Sequence, residues 1–307
     1  MNPPFDIIGD IHGCADQLEA LLQVLGYQQR DGAYRHPGRQ AIFLGDFIDR
    51  GPQQARTLDL VRPMIDGGSA HAVLGNHEFN AICYATGAGT DHVRPHTDKN
   101  THQHAAFLRE FPFGTDRHHE AIEWFKGLPI YLDLQDLGVV HACWCPDSFA
   151  LLDPLLLHDH RISDELIEQY AQSDSVAYRA IERVMKGPEH PLPEALWFKD
   201  KDGHPRSSAR LKWWVSRDKP MSKRLEFGGA VLSPEQLSTM DGLESAPACP
   251  LPDKPVFVGH YWLWGDPQPL SSTVACVDYS VAKGGKLTAY RWDGEAEIVA
   301  DKFVSVS

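Results

Sequence analysis

Three short stretches concentrate the residues that could do chemistry: "DIIGDIHG" at Asp6–Gly13, "FLGDFIDRGP" at Phe43–Pro52 and "HAVLGNHE" at His71–Glu78. Each reads as a short apolar strand, then Gly, then side chains able to bind a metal ion. "LGVVHA" at Leu137–Ala142 and "PVFVGH" at Pro255–His260 repeat the arrangement, each with one histidine. Any one of them alone could be a turn, because Asp, Asn, Gly and Pro favour turns for backbone reasons. Together they deliver Asp10, His12, Asp46, Asn76, His141 and His260, a set of carboxylates, an amide and imidazoles. Such donors suit manganese, with iron or zinc as alternatives, and the lack of thiolate argues against a structural zinc site. These ligands exceed the needs of one catalytic ion, whereas a bridging carboxylate lets them serve two. Two ions about 3.5–4 Å apart can clamp a phosphoryl group and lower the pKa of a shared water toward neutrality. The resulting hydroxide would attack phosphorus in line. His77, beside Asn76, is placed to protonate the leaving oxygen, with Asp49 as the carboxylate that orients it. Arg50 offers a fork for phosphate oxygens; its bland alternative is a surface ion pair with Asp49.

The elements that must position these residues alternate in type. Phe5–Ile8, Ala41–Leu44 and Ala70–Leu74 read as strands. The first is followed by a helix with Leu18, Leu21, Leu22 and Leu25 on one face and Gly26 as its stop, the second by a helix over Gln53–Ile65. Strands alternating with helices imply βαβ units and a largely parallel sheet, whose ligands gather at the carboxyl ends of the strands. "TVACVDYSV", "KLTAYRWD" and "EIVADKFV" near the end of the chain predict an antiparallel meander. Few strand signals occur between His141 and His260, and helical patterning predicts a helix around Asp164–Lys186. The whole of 1–307 is expected to be one domain, with 146–248 as an elaboration packed over the active-site edge.

Composition sets limits on partners. The 307 residues carry a formal charge of −13, which argues against a general nucleic-acid or anionic-membrane binder. Within that acidic chain, Lys199–Arg224 holds nine Lys or Arg against three Asp, a segment able to attract a phosphorylated substrate or simply to balance nearby acids. The six cysteines include no C-x-x-C pair, so buried free thiols are expected, with "CWC" at Cys143–Cys145 a weak metal candidate. No signal-peptide pattern or membrane-length apolar run is visible, and a cytoplasmic location is expected. His92, His96, His102, His104, His118 and His119 are read as a polar loop over the site rather than a third metal site. "DKDG" at Asp200–Gly203 lacks the glycine position and glutamate of a calcium loop and is rejected. Trp213 and Trp214 are read as anchors of the elaboration, with nucleobase stacking as the alternative.

"GDIHG", "GDFIDRG" and "GNHE", followed by "VHA" and "GHYW", resemble the signature of calcineurin-like metallophosphoesterases, specifically the phosphoprotein phosphatase group. The resemblance covers Phe5–Ala142 and Val256–Asp293. It implies an α/β fold with a central β-sandwich flanked by helices, mixed sheets and a dinuclear site at the sandwich edge. It also implies that Asp10, His12 and Asp46 hold one ion, and that Asp46 bridges to a second held by Asn76, His141 and His260. His77 would be the acid, Asp49 its partner and Arg50 a phosphate ligand. The family's second phosphate-binding arginine has no secure counterpart; Arg210 is preferred and Arg206 is second. "GNHE" with Glu78 resembles Ser/Thr protein phosphatases, whereas "VDYSVAKGGKLTAYRWDG" resembles bacterial symmetrical dinucleoside tetraphosphatases. The expectation is a phosphomonoesterase acting on a phosphoprotein or small phosphate ester. A dinucleoside polyphosphate hydrolase is the alternative, and a non-catalytic phosphate-sensing module a remote one.

Overall fold

The strand Phe5–Ile8 shows how the sequence builds the frame. Side chains alternate across a strand, so Phe5 and Ile7 enter one apolar cluster and Ile8 another. Asp6, buried on the same face as Ile8, is held by Arg39 at 2.9 Å and Arg291 at 3.1 Å. Phe5–Ile8 pairs parallel with Gln40–Phe43, which pairs parallel with Ala70–Ala72. On its other side it pairs antiparallel with Lys286–Trp292. The computed structural model describes residues 3–199, 205–227, 232–243 and 249–307; "DKDG" lies outside the described residues.

A second sheet places Val256–Val258 between Val274–Cys276 and Gly138–Val140, all parallel, with Tyr131–Asp133 antiparallel at the edge. Ile7, Ile42, Leu44 and Val73 of the first sheet meet Leu137, Val139, Phe257 and Ala275 of the second in one buried cluster. That cluster is the interior of a β-sandwich. The outer faces pack on helices, among them Ala15–Leu25, which buries Leu18, Leu21, Leu22 and Leu25 and ends at Gly26 with φ 92°. A helix follows Gln40–Phe43 at Gln54–Asp66. The expected α/β sandwich with mixed sheets is therefore the fold.

Three local expectations are corrected. The C-terminal meander is partial: Asp278–Tyr279, Lys286–Trp292 and Phe303–Val306 are antiparallel neighbours in the first sheet, but Val274–Cys276 joins the second sheet in parallel. A buried "VAC" run reads alike in either setting, because both faces are covered. The histidine-rich stretch is largely helical, at Asp98–Gln103, Ala105–Glu110 and Asp116–Lys126, and it buries His104 and His118. The helix expected around Asp164–Lys186 is two, Asp164–Tyr170 and Val176–Lys186, the second capped by the Ser175 hydroxyl.

The elaboration has two parts. Pro146–Leu152 and the two helices after it contribute Phe149, Leu166, Ile181 and Val184 to the main core. Glu189–Pro191, Ser208–Leu211 and Leu225–Glu226 form a small antiparallel sheet, and Leu192, Leu211 and Met240 close a separate cluster there. Its strands are two to four residues long, too short to leave a periodic signal in the sequence. Trp213 is 1% exposed and Trp214 8%, and Trp213 donates its indole N–H to Ala142 O at 3.0 Å. Both are anchors, which removes them as stacking platforms. All six cysteines are buried and unpaired.

Candidate active site at the carboxyl edge of the sandwich

Because the central strands of both sheets run parallel, their carboxyl ends open on one edge. Phe5–Ile8 leads to Asp10 and His12, Gln40–Phe43 to Asp46 and Asp49, and Ala70–Ala72 to Asn76 and His77. From the facing sheet, Gly138–Val140 leads to His141 and Val256–Val258 to His260. The glycines before these ligands are positions of close approach. A Cβ on Gly75 would lie 2.3 Å from Asp46 Oδ1, and one on Gly259 would lie 2.0 Å from Asp10 Oδ1. The recurring strand–Gly–ligand pattern thus has a steric origin. Among the described residues, eleven besides glycine have positive φ, and six of them are here: His12, Asp46, Asp49, Arg50, His260 and Trp262. Such backbone costs roughly 1–3 kcal/mol per residue and persists only where the surroundings impose it.

All six predicted metal-ligand residues meet at this edge and are buried. Asp46 Oδ2 lies 3.5 Å from His12 Nε2 and 3.5 Å from His141 Nε2, midway between two groups of donors. Its Oδ1 accepts the His77 N–H at 2.9 Å. His12 and His141 each donate Nδ1–H to a carbonyl, of Ile48 at 2.9 Å and Leu44 at 2.7 Å, which turns both Nε2 atoms inward. Asn76 Oδ1 is 3.0 Å from His141 Nε2 and 2.7 Å from His260 Nδ1. Asp10 Oδ2 accepts the His260 N–H at 2.9 Å.

These residues fit divalent metal. Asp10 Oδ1, His12 Nε2 and His260 Nε2 are buried with no hydrogen-bond partner, and each such atom costs roughly 1–3 kcal/mol if nothing occupies the space it faces. Asp10, Asp46 and His141 bring one donor atom each within 4.8 Å of one another, as do His12, Asp46 and His77. No other such group occurs among the described residues, so neither the histidine-rich stretch nor "CWC" makes one. The electrostatics have the same sense. Burial, with Asp278 nearby, raises Asp10 well above the usual carboxylate range, and burial pushes His12 down to about 4. Burial also opposes charge on His141, but the adjacent Asp46 carboxylate lifts it to about 10.

At the rim, His77 donates Nδ1–H to Asp49 Oδ2 at 2.6 Å, and His104 donates Nδ1–H to Asp49 Oδ1 at 2.9 Å. Burial opposes the charge on Asp49, yet His104 and His77 hold it well below the usual carboxylate range. Burial likewise disfavours charge on His77, and Asp46 and Asp49 overcome it to raise the imidazole above its ordinary value. Arg50 is exposed; its guanidinium stands 5.8 Å from the Trp262 ring, and Asp49 is engaged by histidines instead. Of the two other arginines, Arg210 lies over Tyr261 at 5.4 Å and its charge helps, after burial, to keep His260 neutral. Its Nε is buried without a partner. Arg206 is exposed on the separate ribbon of Phe198–Lys199 and Pro205–Arg206.

Three residues in contact with this machinery were not picked out as such from the sequence. His104 was one histidine in a crowded stretch, with nothing local to mark it. Asp278 accepts the Trp262 N–H at 2.6 Å and the Ser280 N–H at 3.0 Å, fixing the turn after His260. Glu78 accepts the N–H groups of Asp46 and Phe47, each at 2.8 Å, and of Ile48 and Gly75, each at 3.2 Å. It builds the loop that carries Asp46, a structural role that accounts for its presence in "GNHE".

The calcineurin-like phosphoesterase family model matches residues 3–223. The chain belongs to this family. It is 35% identical over 139 residues to an asymmetrical bis(5'-nucleosyl)-tetraphosphatase, PrpE, of Oceanobacillus iheyensis, a match covering 45% of this chain and 54% of that one. It is 29% identical over 183 residues to a symmetrical bis(5'-nucleosyl)-tetraphosphatase of a Janthinobacterium strain, covering 59% and 51%. The chain thus spans about half the length of these curated relatives. A protein serine/threonine phosphatase from Saccharomyces cerevisiae superposes with TM-score 0.51 at 14% identity, covering 99% of this calcineurin-like chain and 79% of the yeast one, a likeness of fold alone. No helix among the described residues is long and apolar enough to cross a membrane.

Proposed function

We propose that this chain is a dinuclear metal-dependent hydrolase that cleaves dinucleoside polyphosphates. The observation that carries the metal-dependent part is the Asp46 carboxylate, whose Oδ2 stands 3.5 Å from imidazoles of two different donor groups, with unpartnered buried donors on both sides. The substrate class is supported by the relatives, which are named as tetraphosphatases of both the symmetrical and asymmetrical kind. They favour this reading over the phosphoprotein one that the sequence put first. Glu78, a reason for that preference, is explained by its loop.

In this reading Asp10, His12 and Asp46 hold one ion, and Asp46, Asn76, His141 and His260 the other. Manganese is the first candidate. Divalent ions held by these residues would supply charge for the phosphoryl oxygens and lower the pKa of water, so that hydroxide is available for attack near neutral pH. The protein's own groups do the rest. Asp49 fixes the His77 ring by its Nδ1–H and supports its charged form, so Nε2–H is the proton presented to the leaving oxygen. His104 holds the other oxygen of Asp49 and keeps the carboxylate from turning. Arg50 and Arg210 supply forks for the phosphoryl group undergoing attack, with Arg206 the less suited candidate.

The test is turnover by metal-stripped protein, with and without added manganese, on diadenosine tetraphosphate and a phosphoserine peptide in parallel. Nucleotide products are followed by chromatography beside released phosphate. Manganese-restored cleavage of the dinucleotide is expected, and the products, two ADP or ATP with AMP, also show which bond is cut. Restored turnover of the peptide alone would return the phosphoprotein reading to first place.

A further inference from the structure

A cavity of about 270 Å³ opens beside His77 and Asp49, with Asn76 of the ligand cluster also in its wall. Four cations line it: Arg50, Arg94, Lys99 and Lys186. Asp49 is the one carboxylate in its wall, and both of its oxygens are taken by His77 and His104. Lys186 is paired with Glu182 at 2.5 Å. Arg50, Arg94 and Lys99 make no ion pair with any described carboxylate. Arg94 is held by neutral acceptors, donating to Asn80 Oδ1 at 3.1 Å and Gln103 Oε1 at 2.8 Å. A chain of formal charge −13 therefore keeps three uncompensated cations around one hollow, at the mouth of its candidate acid.

We infer that this cavity is the leaving-group subsite and that it takes the phosphates of a polyphosphate chain. The inference rests on the proposed reaction and specifies its substrate. In an in-line displacement the leaving oxygen departs on the side of the acid, so whatever carries that oxygen lies next to His77. Water oxygen bonds to phosphorus, the P–O–P bridge breaks, and the bridging oxygen leaves on the distal phosphate with the His77 proton available to it. The water's remaining proton passes to solvent. The distal phosphate then bears negative charge inside the cavity, where Arg94 and Lys99 meet it. A phosphoserine peptide has a neutral alcohol as leaving group, and these cations would have nothing to match. The volume lies just under the roughly 300 Å³ at which small-molecule pockets begin. It accommodates a short run of phosphates, with the nucleoside beyond the mouth.

Arg94→Ala and Lys99→Ala, in the manganese-loaded protein, test the inference with two substrates and two inhibitors. Diadenosine tetraphosphate has a phosphate-bearing leaving group; p-nitrophenyl phosphate releases a small p-nitrophenolate that carries no phosphate for these cations to hold. Loss of one charge-assisted contact is expected to lower the ratio of their kcat/KM values by about tenfold or more. Arg94→Lys should restore part of it. Pyrophosphate should inhibit p-nitrophenyl phosphate hydrolysis by the wild type, and its Ki should rise in both alanine variants by a larger factor than that of orthophosphate. Lys99 is exposed, so its replacement keeps the test valid should Arg94→Ala fail to fold. An unchanged ratio, or equal loss on both substrates, would overturn the subsite. If the wild type cannot cleave the dinucleotide, the proposed function fails, while the pyrophosphate Ki still decides whether the cavity binds a phosphate chain.

Discussion

The two carboxylate oxygens of Asp46 have separate roles. Oδ1 accepts the backbone N–H of His77, and Oδ2 faces His12 and His141. Asp46→Asn keeps the shape, and so the loop, but removes the charge that would join two ions. Turnover should fall by about a hundred- to a thousandfold, in the range of losses when a central electrostatic group is removed. Metal analysis should find less than the wild-type content in a protein whose circular dichroism is unchanged; wild-type turnover would sink the bridging role. His77→Asn tests the acid. An alkyl leaving group needs its proton far more than a nitrophenol does, so kcat should drop by about 10²–10⁴ on an alkyl phosphate. The drop should be much smaller on p-nitrophenyl phosphate. Equal losses would assign His77 to positioning. These residues were legible because each ligand lies within six residues of the end of a strand, close enough to read as one motif. His104 was not: it reaches Asp49 across 55 residues, and only packing of the helices brings it there.

Glu78 shows the same division among elements. A helix begins at Asn76, and Glu78 in its first turn reaches back to four backbone N–H groups of the loops bearing Asp46 and Gly75. Glu78→Ala strands those donors in a buried place, at roughly 1–3 kcal/mol each before relaxation. A loss of about 3 kcal/mol or more is expected in urea unfolding, with a fall in metal affinity from the loosened Asp46 loop. Glu78→Gln, which retains one acceptor oxygen, should lose less. If alanine costs under about 1 kcal/mol, water replaces the carboxylate and the loop is held by other contacts. The parallel strands were readable as short apolar runs ending at Gly, and the amphipathic helices because one-sided burial imposes a period of 3.6 on the sequence. The small sheet over Glu189–Glu226 offered no such period, and Val274–Cys276 could not reveal its sheet, since a strand covered on both faces has no polar side to orient it.

For the molecule as a whole, the sandwich edge concentrates what folding alone does not repay: orphaned donors, strained backbone and a carboxylate raised by burial. A ligand bound to the native state alone stabilises it by about 2.7 kcal/mol at a hundredfold excess over its dissociation constant. Two such sites amount to about 5 kcal/mol. At about 2 °C per kcal/mol, suited to a chain somewhat longer than the usual reference domains, removing metal should lower Tm by about 10 °C. Calorimetry of the protein before and after chelation, with manganese then restored, measures this without recourse to activity. Asp46→Asn should show a smaller chelation shift than the wild type, because it starts with less bound metal. Arg94→Ala should show the full shift, because Arg94 is not one of the proposed ligands and its side chain is held by Asn80 and Gln103. An unshifted Tm in the wild type would mean that the converging donors hold no resident metal, and the proposed chemistry would fail at its first step.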